Sequence, residues 1–229
     1  MKKLLSLTLA LLMILSLAAC APKAAPVPDP AVGVEAIIRY TLQGDAETLR
    51  AAYGFDSTQE AVEALASGVE LRSSLTDSLL SSLSGDDMSP SVPTLERLTQ
   101  SLLDLLGRME FSCRTLSRDD ASAVVEVSVS TLPEDTFTDG LTNYAANKLL
   151  ENLDKLTDEQ SMVELSFQLM CDYFDQLQCT GSATFEQTVS LTTLEHGGKT
   201  LSVWGDGEEG ASLGNTLVLT IFGQPLTES

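Results

Sequence analysis

The sequence predicts an α+β domain in which helices pack on a curved antiparallel sheet. Three observations support this class. Apolar residues recur at helical spacing through most of the first half of the chain and again over 137–177. Between and after these stretches, apolar and polar residues alternate one by one, as in half-buried strands. The helical stretches are segregated from the predicted hairpins, which favours helices covering one face of the sheet.

Capping residues mark the predicted helices at the start of the domain. Asp29, followed by proline, is typical of a helix start, and Gly44 of its end. Asp45 would cap a short second helix that ends at Gly54, and Ser57 opens a capping box for a third.

Leucines at helical spacing predict two further helices. The second of them starts at Pro93 and stops at Gly107. In the first, serines rather than charged residues separate the leucines, so that this stripe faces either the core or a partner protein. Its leucines are Leu71, Leu75, Leu79 and Leu83.

Two antiparallel hairpins are predicted. The first pairs the alternating stretch 109–116 with 125–129, and the second joins strands at 185–191 and 201–203 through a turn at His196. The segment 137–177 between the hairpins is expected to form two helices that divide near Thr157. For 213–222 the pattern leaves a last strand and a short helix equally open.

The first twenty residues have the layout of an export signal. Two lysines precede an apolar stretch at 4–17 that is too short for a comfortable membrane span. Leu17-Ala18-Ala19-Cys20 resembles the lipobox of bacterial lipoproteins. This resemblance implies that residues 1–19 are a removed signal peptide and that Cys20 carries a diacylglycerol, with fatty acids such as palmitate, at the start of the mature chain.

Proline and alanine dominate the residues after Cys20, and 20–30 are predicted to form a tether. At about 3.1 Å per residue an extended tether would hold the domain roughly 30 Å from the bilayer. The chain shows no internal repeat, so 31–229 are predicted to form one α+β domain. Thirteen basic against 33 acidic residues give a net charge of -20, which repels nucleic acid.

Two motifs resemble a known superfamily. Residues 37–47 form a helix that ends in Gly-Asp before a second short helix, and 194–204 place a Gly-Lys turn before a tryptophan-bearing strand. Both are similar to NTF2-like, cystatin-like domains of small bacterial lipoproteins. The resemblance implies a cone between sheet and helices that holds a ligand, carries an acid–base pair or is packed core. The chain departs from that pattern by extra helices at 57–106 and 137–177, and no catalytic residue of the superfamily can be matched.

The number of cysteines limits the disulfides that the mature chain can form. With Cys20 lipidated, three cysteines remain, and an odd number cannot all pair within one chain. The sequence does not decide whether Cys171 and Cys179 form a disulfide, whereas Cys113 falls on a strand face that we expect to be buried. The sole histidine, His196, lies in a turn, so no imidazole is evident to activate a thiol.

Acidic residues supply the weak site candidates. Asp206, Glu208 and Glu209 share a glycine-bearing loop that would offer oxygen ligands to a hard cation, but their spacing fits no EF-hand, and we expect solvated surface. Glu126 and Glu186 alternate with apolar residues and are expected to face solvent.

Four aromatic residues are candidates for lining a ligand cavity, although side chains of this size at helix–sheet contacts are ordinarily core. They are Tyr173, Phe174, Phe185 and Trp204.

No nucleophile elbow, phosphate loop or dinucleotide fingerprint occurs in the sequence. We therefore expect a non-enzymatic lipoprotein without a cofactor, on the extracytoplasmic face of the cell membrane, that binds an envelope protein or a small molecule. The alternatives are a pocket hydrolase or isomerase and a structural spacer. A pocket with convergent polar groups would favour the enzyme, an apolar groove the binding protein, and a filled core the spacer.

Overall fold

The computed structural model places the helices and strands of the predicted domain. It describes residues 27–65, 90–133, 135–152, 156–206 and 212–222. Cys20 and the predicted stripe from Leu71 to Leu83 lie outside these ranges. The α+β class is confirmed, with helices packed on a four-stranded antiparallel sheet.

Three helices open the described structure: α1 (Pro30–Gln43), α2 (Ala46–Tyr53) and α3 (58–65). The carboxylates of Asp29 and Asp45 accept hydrogen bonds from backbone N–H groups in the first turns of α1 and α2. A glycine in the left-handed conformation ends each of these two helices, where a side chain would be strained. The predicted caps are therefore confirmed.

The segment 137–177 forms two helices, as predicted. A π-helical turn (Thr136–Gly140) leads into the first of these two. The segment at 213–222, left open by the sequence, forms a helix whose N-cap is Ser212. The later helices are α4 (Val92–Gly107), α5 (Leu141–Glu151), α6 (Glu159–Gln176) and α7 (Leu213–Ile221).

The strands follow the order β1-β2-β3-β4, and both predicted hairpins are confirmed. The first half of β3 pairs with β2 as far as Ser190, and its second half pairs with β4 from Val189 onward. The β3–β4 hairpin therefore extends past the end of β2. The strands are β1 (Phe111–Arg118), β2 (Ser122–Thr131), β3 (Gly181–His196) and β4 (Lys199–Asp206).

The main core lies between the inner face of the sheet and helices α1, α4, α6 and α7. On β2 the buried residues Val125, Val127 and Val129 alternate with more exposed polar ones, as the sequence predicted. Each such side chain contributes about 1.5–3 kcal/mol when it is fully buried.

A second, smaller core lies beside the extended hairpin. Leu49 and Tyr53 of α2, with Phe55 after it, pack with Leu201 and Val203 of β4. This core fixes α2 and α3 against the part of the hairpin that β2 does not reach, and it thereby positions the cleft described below.

Candidate functional site

An apolar cleft of about 310 Å³ lies next to the second core. Helices α1, α2 and α3 form one wall, and the β3–β4 hairpin forms the other. Thr192 and Asp206 are the polar side chains of the lining. The apolar side chains include Ile37, Leu49, Ala64, Leu65, Leu194 and Val203.

The turn after α2 brings α3 to this cleft. Gly54 has a φ of 73°, so the chain can reverse there without strain. The Ser57 hydroxyl then accepts a hydrogen bond from the Glu60 N–H at 3.1 Å and caps α3, as the predicted capping box requires. The Glu60 carboxylate reaches back one residue further than predicted and accepts from the Asp56 N–H at 2.9 Å. The last described turn of α3 places Ala64 and Leu65 on the cleft wall.

Trp204 borders the cleft and is completely buried. Its indole Nε1–H donates to the Pro28 carbonyl oxygen at 2.9 Å, and the Tyr53 hydroxyl donates to the Trp204 carbonyl oxygen at 3.2 Å. Burial raises the pKa of Tyr53, which keeps this hydroxyl protonated as a donor. The Arg118 guanidinium lies 5.3 Å from the centre of the indole ring. This side of the cleft is therefore held by fixed contacts.

Both polar side chains of the cleft are engaged with backbone groups. The Asp206 carboxylate accepts a hydrogen bond from the Leu213 N–H at 2.8 Å, at the start of α7. The Thr192 hydroxyl donates to the Val203 carbonyl oxygen at 3.2 Å. Asp206 is the sole ionisable side chain among the described lining residues. The cleft thus offers a mainly apolar surface with two polar side chains in its lining.

The predicted metal candidates are divided between described and undescribed residues. Asp206 lines the cleft, whereas Glu208 and Glu209 lie outside the described ranges. Within those ranges no three histidine, cysteine, aspartate or glutamate side chains are grouped so that they would hold a metal ion.

Glu126 and Glu186 lie directly opposite each other on β2 and β3, on the sheet face away from the main core. Glu186 is exposed, and Glu126 is half-buried and forms an ion pair with Arg114 at 2.9 Å. The sequence-based expectation that these carboxylates face away from the core is confirmed. Neither residue lines the cleft.

The three described cysteines are free thiols, so the Cys171–Cys179 bridge left open by the sequence is absent. Cys171 is buried within α6, whereas the sulfur of Cys179 lies 3.3 Å from that of Met109. Burial raises the pKa of Cys113 to about 12 and also raises the pKa of the other two thiols. All three are therefore poor nucleophiles at neutral pH.

Of the four aromatic candidates, Trp204 alone borders the cleft. Phe174 and Phe185 belong to the main core, and Tyr173 packs against it. The Tyr173 hydroxyl donates to the Thr136 carbonyl oxygen at 3.1 Å. Sequence reasoning missed Ile37, Leu65 and Leu194 as lining residues, although the alternation around Leu194 was a signal that the hairpin has an apolar face.

A second depression, of about 600 Å³, lies at the opposite end of the sheet. It is open, and its lining is mainly polar, with the hydroxyl groups of Ser112, Ser128, Ser130 and Ser182. The Ser128 hydroxyl is paired with that of Thr184 at 2.9 Å. This surface encloses a ligand less well than the apolar cleft does.

Comparison with solved structures identifies one informative likeness. The chain is similar to ycdA, a candidate lipoprotein of Bacillus subtilis, with a TM-score of 0.55 and 18% sequence identity. The match covers 86% of this chain and 56% of that chain, so this chain spans little more than half of its neighbour's length. At this identity the likeness shows a shared fold.

No protein-family model and no curated protein matches the sequence. Within the described ranges, none of the helices combines the length and the apolar character that a membrane crossing requires.

Proposed function

We propose that this chain is a lipid-anchored lipoprotein of the bacterial cell envelope that binds a small, largely apolar molecule without transforming it. The anchor rests on the sequence Leu17-Ala18-Ala19-Cys20, and the likeness in fold to a candidate lipoprotein supports it. The observation that carries the binding function is the apolar cleft between α1–α3 and the β3–β4 hairpin.

The size and lining of the cleft favour a small molecule. Ligand pockets usually have volumes of about 300–1,000 Å³, are mainly apolar and contain a few placed polar groups. The cleft has about 310 Å³, and its apolar side chains outnumber Thr192 and Asp206. A small apolar ligand, or the apolar part of a larger one, would fill it.

The chemistry of the lining supports binding rather than catalysis. General acid–base catalysis in such a pocket would need a carboxylate and a second polar group that converge on the ligand. One oxygen of the Asp206 carboxylate accepts from the Leu213 N–H, and the hydroxyl of Thr192, the other polar side chain of the lining, donates to the Val203 carbonyl oxygen. A hydrolase or isomerase would have to redirect Thr192 or recruit a second group from beyond the described lining residues.

We also propose a distant relationship to the NTF2-like, cystatin-like superfamily. Both motifs that carry this resemblance contribute to the cleft, since Ile37 of the first and Leu194 of the second line it. The proposed mature protein starts at lipidated Cys20, continues as a tether and ends in a single domain. Contacts from Trp204 to Pro28 and from Thr115 to Asp29 extend the folded unit slightly into the predicted tether.

Replacement of the predicted lipidation residue tests the anchor. Cys20→Ala protein should incorporate no labelled fatty acid and should keep the mass of the unprocessed precursor, whereas Cys179→Ala protein should be labelled and processed as wild type is. Fatty-acid labelling of Cys20→Ala at the wild-type level would contradict the anchor.

Cleft filling tests the binding site. The probe is the neutral apolar dye N-phenyl-1-naphthylamine, whose fluorescence rises in apolar surroundings. Ala64→Phe places a large side chain on the cleft wall and should abolish the increase. The matched control is Ala51→Phe, because Ala51 is exposed on α2 and does not line the cleft. Equal dye binding by the two folded variants would refute the assignment.

Native mass spectrometry of the exported protein searches for the natural ligand. We expect an additional mass that is lost on denaturation and that is absent from the Ala64→Phe variant. An additional mass retained by Ala64→Phe would place the ligand elsewhere.

A further inference from the structure

The end of the domain at which the chain enters carries exposed apolar side chains. Val27, Val32 and Leu116 have exposed fractions of 37%, 50% and 40%. They are half of the six large hydrophobic side chains that are exposed in the described ranges. We call these three residues the entry patch.

Hydrogen bonds between neighbouring residues join the two segments that carry the entry patch. The Thr115 hydroxyl donates to the Asp29 carboxylate at 2.9 Å, and the Ala31 N–H donates to the Thr115 hydroxyl at 3.1 Å. These bonds join the start of α1, next to Val32, to the part of β1 next to Leu116. The β1–β2 register shifts between Thr115 and Ser117, so Leu116 is displaced from the regular ladder.

The length of the preceding chain restricts where this end of the domain can lie. Only six residues separate Cys20 from Val27. Even a fully extended chain spans at most about 3.6 Å per residue, so Val27, where the entry patch begins, lies within about 25 Å of the lipidated cysteine. The opposite end of the domain has no such restriction.

We infer that the entry patch rests on the lipid surface, with Val27, Val32 and Leu116 in the headgroup region. This inference rests on the proposed lipid anchor. Partly exposed apolar side chains gain free energy at the boundary between headgroups and acyl chains, and the anchor raises their local concentration there.

Arg118 adds a polar contact of suitable chemistry. It is exposed, lies over the Trp204 ring and forms no ion pair within the described residues, so its guanidinium is available to a lipid phosphate. Asp119 and Asp120 follow it in the chain. The Asp119 carboxylate is occupied by the N–H groups of Ala121 and Ser122.

Trp204 provides an intrinsic probe, because it is the only tryptophan of the chain and lies beside Pro28 at the same end of the domain. The mature lipidated protein is incorporated into phosphatidylcholine vesicles with or without a nitroxide on the lipid headgroup. We expect loss of Trp204 fluorescence in the nitroxide vesicles.

The Val32→Asp/Leu116→Asp variant should remain anchored, as cosedimentation with vesicles shows, but should lose most of the quenching. Leu150→Asp/Met162→Asp is the matched control, because both residues are exposed and lie on α5 and α6, away from the patch. It should retain the wild-type quenching. Near-ultraviolet circular dichroism checks that both variants are folded.

Two results would overturn the inference without affecting the anchor. These are cosedimentation of the wild-type protein without quenching, and equal quenching of the two double variants. Failure of the lipidated wild-type protein to cosediment would instead contradict the proposed anchor and, with it, the inference.

Discussion

The indole Nε1–H of Trp204 donates a hydrogen bond to the carbonyl oxygen of Pro28, although 176 residues separate the two. The bond joins β4, an edge strand of the sheet, to the chain just before α1. Tyr53 donates to the carbonyl oxygen of the same tryptophan. Trp204 therefore links the end of the tether, the main core and the cleft.

Trp204→Phe should reduce the free energy of unfolding by about 1–3 kcal/mol, because it leaves unfilled space in the core and removes the donor to Pro28. Urea unfolding followed by circular dichroism measures this loss. Leu150→Ala is a suitable control, since this side chain is 68% exposed and its truncation should change stability by less than about 0.5 kcal/mol. An equally small effect of Trp204→Phe would show that the buried indole is not structurally important.

Gly33→Ala should destabilise the protein, although alanine is normally better than glycine inside a helix by about 1 kcal/mol. A Cβ atom at this position of α1 would lie 2.7 Å from the Tyr53 hydroxyl oxygen and 3.1 Å from a ring carbon of Trp204. We expect a net cost of about 1–3 kcal/mol in urea unfolding. Gly107→Ala is the matched control, because a Cβ there meets no atom within 4 Å.

A double-mutant cycle tests the cause of this cost. Tyr53→Phe removes the hydroxyl that a Cβ of residue 33 would approach most closely. Gly33→Ala should therefore cost less in the Tyr53→Phe background than in the wild type. Additive effects of the two substitutions would show that the cost has another origin.

Local sequence signals predicted most of the elements, because their physical causes are local. Asp29, Gly44 and Asp45 act on helix ends within a few residues of themselves, and alternation along β2 requires only that one face of the strand is buried. For 213–222 the sequence did not decide between strand and helix, because almost continuous apolar residues have no period. The segment forms a helix, and this helix packs against the main core.

The cleft depends on relationships that no local pattern contains. It exists beside a hairpin that extends past β2, and this extension follows from the exchange of β3 partners near Val189 and Ser190. Pairing register is a long-range property, so the alternation around Leu194 predicted a strand face without identifying what would cover it. The free state of Cys171 and Cys179 likewise depends on where α6 ends relative to the sheet.

Three thiols should react with an alkylating reagent in the denatured mature protein. Alkylation under denaturing, non-reducing conditions should add three modifications to the lipidated chain, since Cys113, Cys171 and Cys179 are free. In the native protein at neutral pH alkylation should be slow, because burial raises the pKa of each thiol. A deficit of two hydrogen masses and a single modification would reveal a disulfide.

Glu164→Gln should destabilise the junction of α4 and α6 in a pH-dependent way. Helix α4 has no side-chain cap of its own at Ser91, and the Glu164 carboxylate on α6 accepts hydrogen bonds from the Thr94 hydroxyl at 2.6 Å and from the Ser91 N–H. The hydrogen bond from Thr94, followed by that from Ser91, lowers the pKa of Glu164 in the folded protein. The negative charge also lies at the N-terminus of α4, where the helix dipole favours it.

A lowered folded-state pKa gives stability that is present above the unfolded-state pKa and is lost as the pH falls through the folded-state value. Urea midpoints of the wild type and of Glu164→Gln should therefore differ most at neutral pH and converge in acid. Glu96→Gln serves as the control, because Glu96 is an exposed glutamate on α4, and it should show no such convergence. A difference between wild type and Glu164→Gln that does not change with pH would show that the charge of Glu164 does not stabilise the start of α4.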